Sequence, residues 1–193
     1  MTDGKFVVLE GIDGSGTSTH ARLLGKWLRS QGHSVVVTHE PTTRKIGVMI
    51  QRNIKTEETS AVVDALLFAA DRVDHLEHII EPSLAANKIV ISDRYVESSI
   101  AYQTSAGLKM DWVLEINKFV KNPDLTIIFD IEPEKGLRRK AKTGDKFENV
   151  IFLRKVREIY LQRAKAQQYP VIKTDRSIGD VQADLQNLIQ TIL

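Results

Sequence analysis

The chain of 193 residues has no cysteine, so disulfide bonds and zinc sites with thiolate ligands are excluded. No uninterrupted apolar run is long enough to cross a membrane. Residues 1–10 also do not combine a charged start with a long apolar stretch, as secretory signals do. From these absences we predict a soluble, cytoplasmic protein with no membrane partner.

The chain has little net charge of either sign, because 27 basic and 25 acidic residues leave only +2. So small an excess does not indicate a nucleic acid partner, and we predict none. Basic residues can still bind an anionic small molecule where they cluster. With 42% hydrophobic and 27% charged residues, the composition excludes disordered and collagen-like classes. The length predicts a single domain over residues 1–193.

Short apolar runs alternate with helical patterns, which is typical of βαβ units and a parallel sheet. The predicted strands are 6–9, 35–37, 88–91, 125–129 and 171–172. A long helical segment is predicted over 59–84, and Pro82 predicts a kink or break in it. The order of elements predicts an α/β fold of the P-loop NTPase type, in which a doubly wound, five-stranded parallel sheet is flanked by helices.

The first predicted strand leads into a glycine-rich segment, LEGIDGSGTST at residues 9–19. Gly11 and Gly16 stand five residues apart and Ser18 follows, as in the phosphate-binding P-loop G-x-x-x-x-G-K-[ST]. The glycines allow backbone N–H groups to surround a phosphate, and the next helix contributes its N-terminal dipole. Thr17 occupies the lysine position of the motif. The alternative is a glycine-rich turn without chemistry, but strand, glycines, hydroxyl and helix occur in the required order.

The third predicted strand ends in Asp93 and Arg94. A carboxylate at the carboxyl end of a strand beside a P-loop can hold Mg²⁺ through water, together with the hydroxyl of Ser18. The arginine can bind a phosphate through two hydrogen bonds. These residues predict a metal site at Ser18 and Asp93. The alternative is an ordinary ion pair at the surface.

Phe68 and Arg72 are four residues apart in the long helical segment, so they share one face of the helix. An aromatic ring beside an arginine can stack on a nucleobase and hydrogen-bond its carbonyl. The alternative is a core phenylalanine next to a solvated arginine.

Residues 138–148 form a basic segment around Gly144, which we predict to close as a lid over a polyphosphate. The alternative is a solvated basic turn. The cations of this segment are Arg138, Arg139, Lys140, Lys142 and Lys146.

With these motifs the chain resembles the thymidylate kinases, which transfer the γ-phosphoryl group of ATP to dTMP. The similar segments run nearly from end to end and include LEGIDGSG, THEP, LLFAADR, DRYVESSIAYQ, PDLTIIFDIEPE and DKFEN. The resemblance implies ATP as the phosphoryl donor, Mg²⁺ as its metal and dTMP as the acceptor. It also implies a homodimer, for which the apolar residues 61–70 are a candidate face.

The resemblance further implies roles for individual residues. Phe68 is expected to stack on thymine and Arg72 to bind its O4 atom. Arg94 is expected to hold the acceptor phosphate, Asp13 to meet the sugar 3′-hydroxyl, and Tyr102 to exclude a ribose 2′-hydroxyl. The implied substrate-binding residues are Asp13, Pro41, Arg44, Phe68, Arg72, Arg94, Ser99, Tyr102, Gln103 and Phe147. The implied ATP-binding residues are Gly11, Ile12, Asp13, Gly14, Ser15, Gly16, Thr17, Ser18, Thr19, Arg139 and Asp175. Residues 174–177 are expected beside the adenine. The implied catalytic residues are Asp13, Arg94, Arg139, Lys142 and Lys146.

Two positions depart from the family pattern. Thr17 removes the lysine expected on the β- and γ-phosphates, and Gly14 stands where one subgroup carries an arginine. Because phosphoryl transfer depends on positioning and charge neutralisation, we expect the lid cations to replace part of the missing charge. Two alternatives stay open. One is a kinase for another or a broader range of pyrimidine monophosphates, such as dUMP; the other is a P-loop protein that binds nucleotide without catalysis.

Overall fold

The computed structural model describes residues 4–56, 59–139, 147 and 149–193. Its centre is a five-stranded sheet in the order β2-β3-β1-β4-β5, in which all neighbouring strands are parallel. The strands are β1 Lys5–Gly11, β2 Val35–His39, β3 Ile89–Asp93, β4 Leu125–Asp130 and β5 Val171–Lys173. The predicted α/β fold class is confirmed.

Helices connect the strands and cover both faces of the sheet. They are α1 Thr17–Ser30, α2 Lys45–Thr56, α3 Ala61–His75, α4 Glu81–Ala85, α5 Val96–Ser105, α6 Met110–Ile116, α7 Pro133–Arg139, α8 Val150–Gln167 and α9 Ile178–Gln190. A π-helical turn, Leu76–Ile80, joins α3 to α4. Within the described ranges, no helix is both long and apolar enough to span a bilayer.

The sheet is buried on both faces because its central strands are nearly continuous apolar runs. On one face, Val7 packs with Leu24 of α1 and with Leu185 of α9. On the other face, Val8 packs with Ile80 of the π-helical turn. Burying one such side chain contributes about 1.5–3 kcal/mol, so these contacts hold the strand ends firmly in place.

Parallel pairing brings the carboxyl ends of β1 and β3 together, with Leu9 opposite Asp93. β1 lies where the chain changes direction across the sheet, because β3 is on one side of it and β4 on the other. Open α/β sheets bind ligands in the crevice outside the strand ends at such a point. The fold therefore places the P-loop and Asp93 at one edge of the sheet.

Helices α5 and α6 have no counterpart among the predicted elements. α5 buries the polar side chains of Glu97, Ser99 and Gln103, so it lacks the apolar stripe that predicts a helix. Pro82, which predicted an interruption, lies in the first turn of α4, where its missing N–H is tolerated. The irregularity is instead the π-helical turn that precedes it.

Candidate active site

The P-loop is a tight connection between the end of β1 at Gly11 and the start of α1 at Thr17. Gly14 and Gly16 have φ values of 77° and 95°, a left-handed conformation that residues with a Cβ rarely adopt. At Gly14 a Cβ would also lie 2.0 Å from the carbonyl oxygen of Gly136 in α7. A side chain at position 14 would therefore force the P-loop and α7 apart at this contact.

A pocket opens above the P-loop and extends to the chain after β5. Its lining residues are Asp13, Gly14, Gly16, Thr17, Ser18, Thr19, His20, Arg94, Arg139, Thr174, Arg176 and Ile178. Among the predicted ATP-binding residues, Gly11, Ile12 and Ser15 are buried beneath this lining. His20 and Ile178 are lining residues that sequence reasoning missed, because no phosphate-binding motif includes them.

Asp175 does not line the pocket above the P-loop, although both of its neighbours do. Its carboxylate pairs with Lys135, at 2.8 Å between Nζ and Oδ2. The side chain is thus turned to a partner on α7, and a contact between Asp175 and ATP stays a prediction.

Ser18 and Asp93, the predicted metal-binding pair, meet at the carboxyl edge of the sheet. The Ser18 hydroxyl donates a hydrogen bond to Asp93 Oδ2. The other carboxylate oxygen, Asp93 Oδ1, is buried and has no hydrogen-bond partner among the described residues. An unpaired, buried carboxylate oxygen beside a phosphate-binding loop is a suitable ligand for a hard cation such as Mg²⁺.

A second pocket lies between α3, α5 and the end of β1 and is the candidate acceptor pocket. Its lining residues are Asp13, Pro41, Ile54, Phe68, Arg94, Ser98, Ser99, Tyr102, Gln103 and Phe147. All predicted substrate-binding residues except Arg44 and Arg72 are among them. Phe147 packs edge-on against Tyr102, with ring centroids 5.3 Å apart, so aromatic rings close one side of the pocket.

Arg72 lies behind the acceptor pocket, and only 1% of it is exposed. Its Nε donates to Glu40 at 2.9 Å, and its Nη1 donates to Asn117. Its Nη2 donates to the carbonyl oxygen of Tyr95 and to Ser99 Oγ, both at 3.0 Å. The pocket is lined by Ser99 and not by the Arg72 guanidinium. A contact between Arg72 and thymine O4 stays a prediction.

Arg44, the other exception, pairs with Asp74 of α3, at 3.1 Å between Nη2 and Oδ1. It lines neither pocket. The guanidinium is turned to the α3 carboxylate, and a contact between Arg44 and the acceptor phosphate stays a prediction.

Asp13 and Arg94 line both pockets. Arg94 Nη2 donates to Asp13 Oδ1 at 2.7 Å, and the Tyr102 hydroxyl donates to the same oxygen at 3.2 Å. Arg94 has a φ of 74°, which is uncommon for a residue with a side chain and is concentrated at functional sites. A group that passes from one pocket to the other must therefore pass these two side chains.

Glu10 is fully buried beneath Arg94 and was not among the predicted site residues. It accepts hydrogen bonds from the backbone N–H groups of Tyr95 and Ser98, at 2.8 and 3.2 Å, at the N-terminus of α5. It also accepts from the hydroxyls of Ser98 and Tyr160, at 2.6 and 3.0 Å. Arg94 Nη1 in turn donates to Ser98 Oγ at 3.2 Å. Burial raises the pKa of Glu10 to about 7, although the Ser98 hydrogen bond and the charge of Arg94 lower it.

The structure describes the start of the predicted lid. Arg139 reaches the pocket above the P-loop from α7 and donates from Nη1 to the carbonyl oxygen of Thr174 at 2.9 Å. Arg138 is exposed, donates to a backbone carbonyl of α7 and does not line that pocket. The other predicted lid cations, Lys140, Lys142 and Lys146, lie outside the described residues.

Two pockets that share an arginine and a carboxylate suit the transfer of a phosphoryl group between two bound nucleotides. A family model described as thymidylate kinase matches residues 9–185. The chain belongs to the thymidylate kinase family. A probable thymidylate kinase of Pyrobaculum aerophilum is 47% identical over 191 residues, which cover 97% of this chain and 97% of the relative. A probable thymidylate kinase of Thermococcus kodakarensis is 40% identical over 203 residues, which cover 97% of this chain and 98% of the relative.

Proposed function

We propose that the chain transfers the γ-phosphoryl group of Mg-ATP to dTMP, forming ADP and dTDP. An oxygen of the acceptor phosphate forms a bond to the γ-phosphorus while the bond from that phosphorus to the bridging oxygen of ADP breaks. No covalent enzyme intermediate is required. The observation that carries the proposal is that Asp13 and Arg94 line both the pocket above the P-loop and the pocket bordered by Phe68 and Tyr102.

In the pocket above the P-loop, backbone N–H groups at the start of α1 would bind the polyphosphate of ATP. Ser18 and Asp93 would hold Mg²⁺, which prefers oxygen ligands. The described part of the chain has no group of three or more His, Cys, Asp or Glu side chains placed to hold a metal, so water and phosphate oxygens would complete the coordination. When bound, the ion neutralises charge on the β- and γ-phosphates.

In the acceptor pocket, Arg94 would hold the phosphate of dTMP and Phe68 would stack on thymine. Tyr102 is 7% exposed and is fixed by its hydrogen bond to Asp13, so it would leave no room for a ribose 2′-hydroxyl. Asp13 would then meet the 3′-hydroxyl of a deoxyribose.

Arg139 would supply charge that Thr17 does not bring to the phosphates. Of the two lid cations that the structure describes, it is the one that lines the pocket above the P-loop. A preorganised cation stabilises the negative charge of the transferring group without reorganisation during the reaction. Lys142 and Lys146 would join it when residues 138–148 close over ATP.

A homodimer would form through α3. Val62, Val63 and Leu66 are 43–49% exposed and lie on neighbouring turns of that helix. Grouped apolar side chains at a surface are typical of protein interfaces. Sedimentation equilibrium should give twice the chain mass of 21.8 kDa, and Leu66→Glu should shift it toward one chain mass.

The deciding experiment measures ADP release from Mg-ATP with a panel of acceptors: dTMP, dUMP, UMP, CMP and AMP. A clear preference for dTMP supports the proposal. Comparable turnover of dUMP would favour the kinase with a broader acceptor range. Binding of ATP without ADP release for any acceptor would favour the non-catalytic alternative, which the loss of the lysine at position 17 suggests.

A further inference from the structure

His20 is a polar side chain at the P-loop that the proposed function leaves without a role. It follows Thr17 by three residues in α1, so the two residues share one face of the helix. Both line the pocket above the P-loop, although His20 is only 5% exposed. A buried imidazole needs hydrogen-bond partners for its ring nitrogens, and the structure shows the partner of one of them.

That partner is Gln182 of α9. Its Nε2 lies 2.7 Å from His20 Nδ1 and 3.3 Å from the backbone carbonyl oxygen of His20. An amide nitrogen has two hydrogens, and these two acceptors receive one each. The reversed amide would place its oxygen against the carbonyl oxygen, which is repulsive. His20 Nδ1 is therefore an acceptor, and a neutral imidazole of this kind carries its hydrogen on Nε2.

The Nε2 edge of His20 lies against the P-loop. A Cβ placed on Gly16 would be 3.3 Å from His20 Cδ2 and 3.8 Å from Nε2. Phe129 packs edge-on against the imidazole, with centroids 5.5 Å apart, so the ring cannot turn freely. The Nε2 edge therefore lies beside a residue that has no side chain, and both His20 and Gly16 line the pocket above the P-loop.

We propose that His20 donates a hydrogen bond from Nε2 to an oxygen of the nucleoside triphosphate, and that Gln182 is the positioning residue that keeps the hydrogen on that nitrogen. The proposal rests on the proposed use of ATP. A lysine at position 17 would bring a charge to the phosphates, whereas His20 brings a directed, neutral donor from the same helix face.

Isothermal titration calorimetry of the intact protein with Mg-AMP-PNP, a non-hydrolysable ATP analogue, tests this without dTMP turnover. His20→Phe keeps a ring of similar shape but removes both nitrogens. It should weaken Mg-AMP-PNP binding by about 10- to 100-fold, as expected for one hydrogen bond to a charged acceptor, and leave dTMP binding unchanged. His20→Gln should restore most of the affinity, because its amide can accept from Gln182 and donate to the nucleotide.

A second variant, Gln182→Met, keeps the volume but removes the donor that fixes the imidazole. Long-range ¹H–¹⁵N spectra should show the Nε2–H form in the parent and lose that single form in Gln182→Met, together with Mg-AMP-PNP affinity. Gln190→Met, at the exposed end of α9, is the matched control and should bind like the parent.

An Nδ1–H form in the parent spectrum would overturn the proposal, as would equal losses of Mg-AMP-PNP and dTMP affinity in His20→Phe. If His20→Phe does not fold, the Mg-AMP-PNP affinity of Gln182→Met and the spectrum of the parent protein test the proposal instead. If dTMP is not phosphorylated but the effect of His20 on Mg-AMP-PNP binding is observed, the proposed acceptor is wrong and this inference stands.

Discussion

The replacement Glu10→Gln should change how the stability of the protein depends on pH. Glu10 accepts backbone N–H groups of Tyr95 and Ser98 and meets the hydroxyls of Ser98 and Tyr160. A glutamine can keep this arrangement, because its oxygen accepts from the N–H groups while its amide nitrogen donates to the hydroxyl oxygens. The variant therefore removes the ionisation of the side chain and keeps its packing.

The magnitude follows from the pKa of Glu10, which burial raises from 4.5 to about 7. The folded state therefore binds more protons than the unfolded state between about pH 4.5 and about pH 7, and stability falls as the pH rises through this window. The difference, 7 minus 4.5, corresponds to roughly 3 kcal/mol at about 1.4 kcal/mol for each pKa unit. A glutamine does not incur this penalty.

Urea unfolding at about pH 5 and about pH 8 measures the effect. Between these conditions, the free energy of unfolding of Glu10→Gln should rise by roughly 2.5 kcal/mol relative to the parent, because the parent already incurs a small part of the penalty at about pH 5. Glu115→Gln, at a side chain that is 63% exposed, is the control and should follow the parent at both pH values. If the stability of Glu10→Gln also follows that of the parent at both pH values, the reasoning is refuted. The N-terminus of α5 and the charge of Arg94 would then cancel the effect of burial on the pKa of Glu10.

Three further predictions concern the two pockets. Arg139→Ala should lower kcat by roughly 10²- to 10³-fold, and Thr17→Lys should restore part of that loss. If the effects of the two substitutions on kcat are additive in a double-mutant cycle, Arg139 does not compensate for the missing lysine. Arg72→Ala should weaken the binding of dTMP more than that of ATP. It should also lower the free energy of unfolding by about 3–5 kcal/mol, because Glu40 stays buried without its cation. If urea unfolding is unchanged, Arg72 does not stabilise the buried Glu40. Tyr102→Phe should keep most dTMP turnover while Tyr102→Ala should accept UMP better, and steady-state kinetics in which Tyr102→Ala still rejects UMP would exclude the steric role.

The P-loop could be predicted from the sequence because its chemistry is local. Gly11, Gly16 and Ser18 act within one connection, so their spacing carries the information. Asp93 is distant in sequence, but the carboxyl ends of parallel strands meet at one edge of a sheet, which is a general rule of the fold. For these residues, the order of the elements along the chain and the direction of the strands were sufficient to predict that they lie together.

Arg72 could not be placed in the same way. Helical periodicity puts it on the face of Phe68, but whether that face is open depends on residues from other segments. Glu40 and Asn117, which hold the guanidinium, are 32 and 45 positions away along the chain. Glu10 was missed for a related reason, since an acidic residue in an apolar strand shows its role only when its partners on α5 and α8 are known.

The close approach of Gly14 and Gly136 fixes α7 against the phosphate-binding loop. A Cβ at Gly136 would lie 2.7 Å from the carbonyl oxygen of Asp13, so two stretches of backbone touch without side chains between them. Arg139 lies three residues past Gly136, at the end of the same helix. The two glycines therefore also set the distance from which the Arg139 guanidinium reaches the pocket above the P-loop.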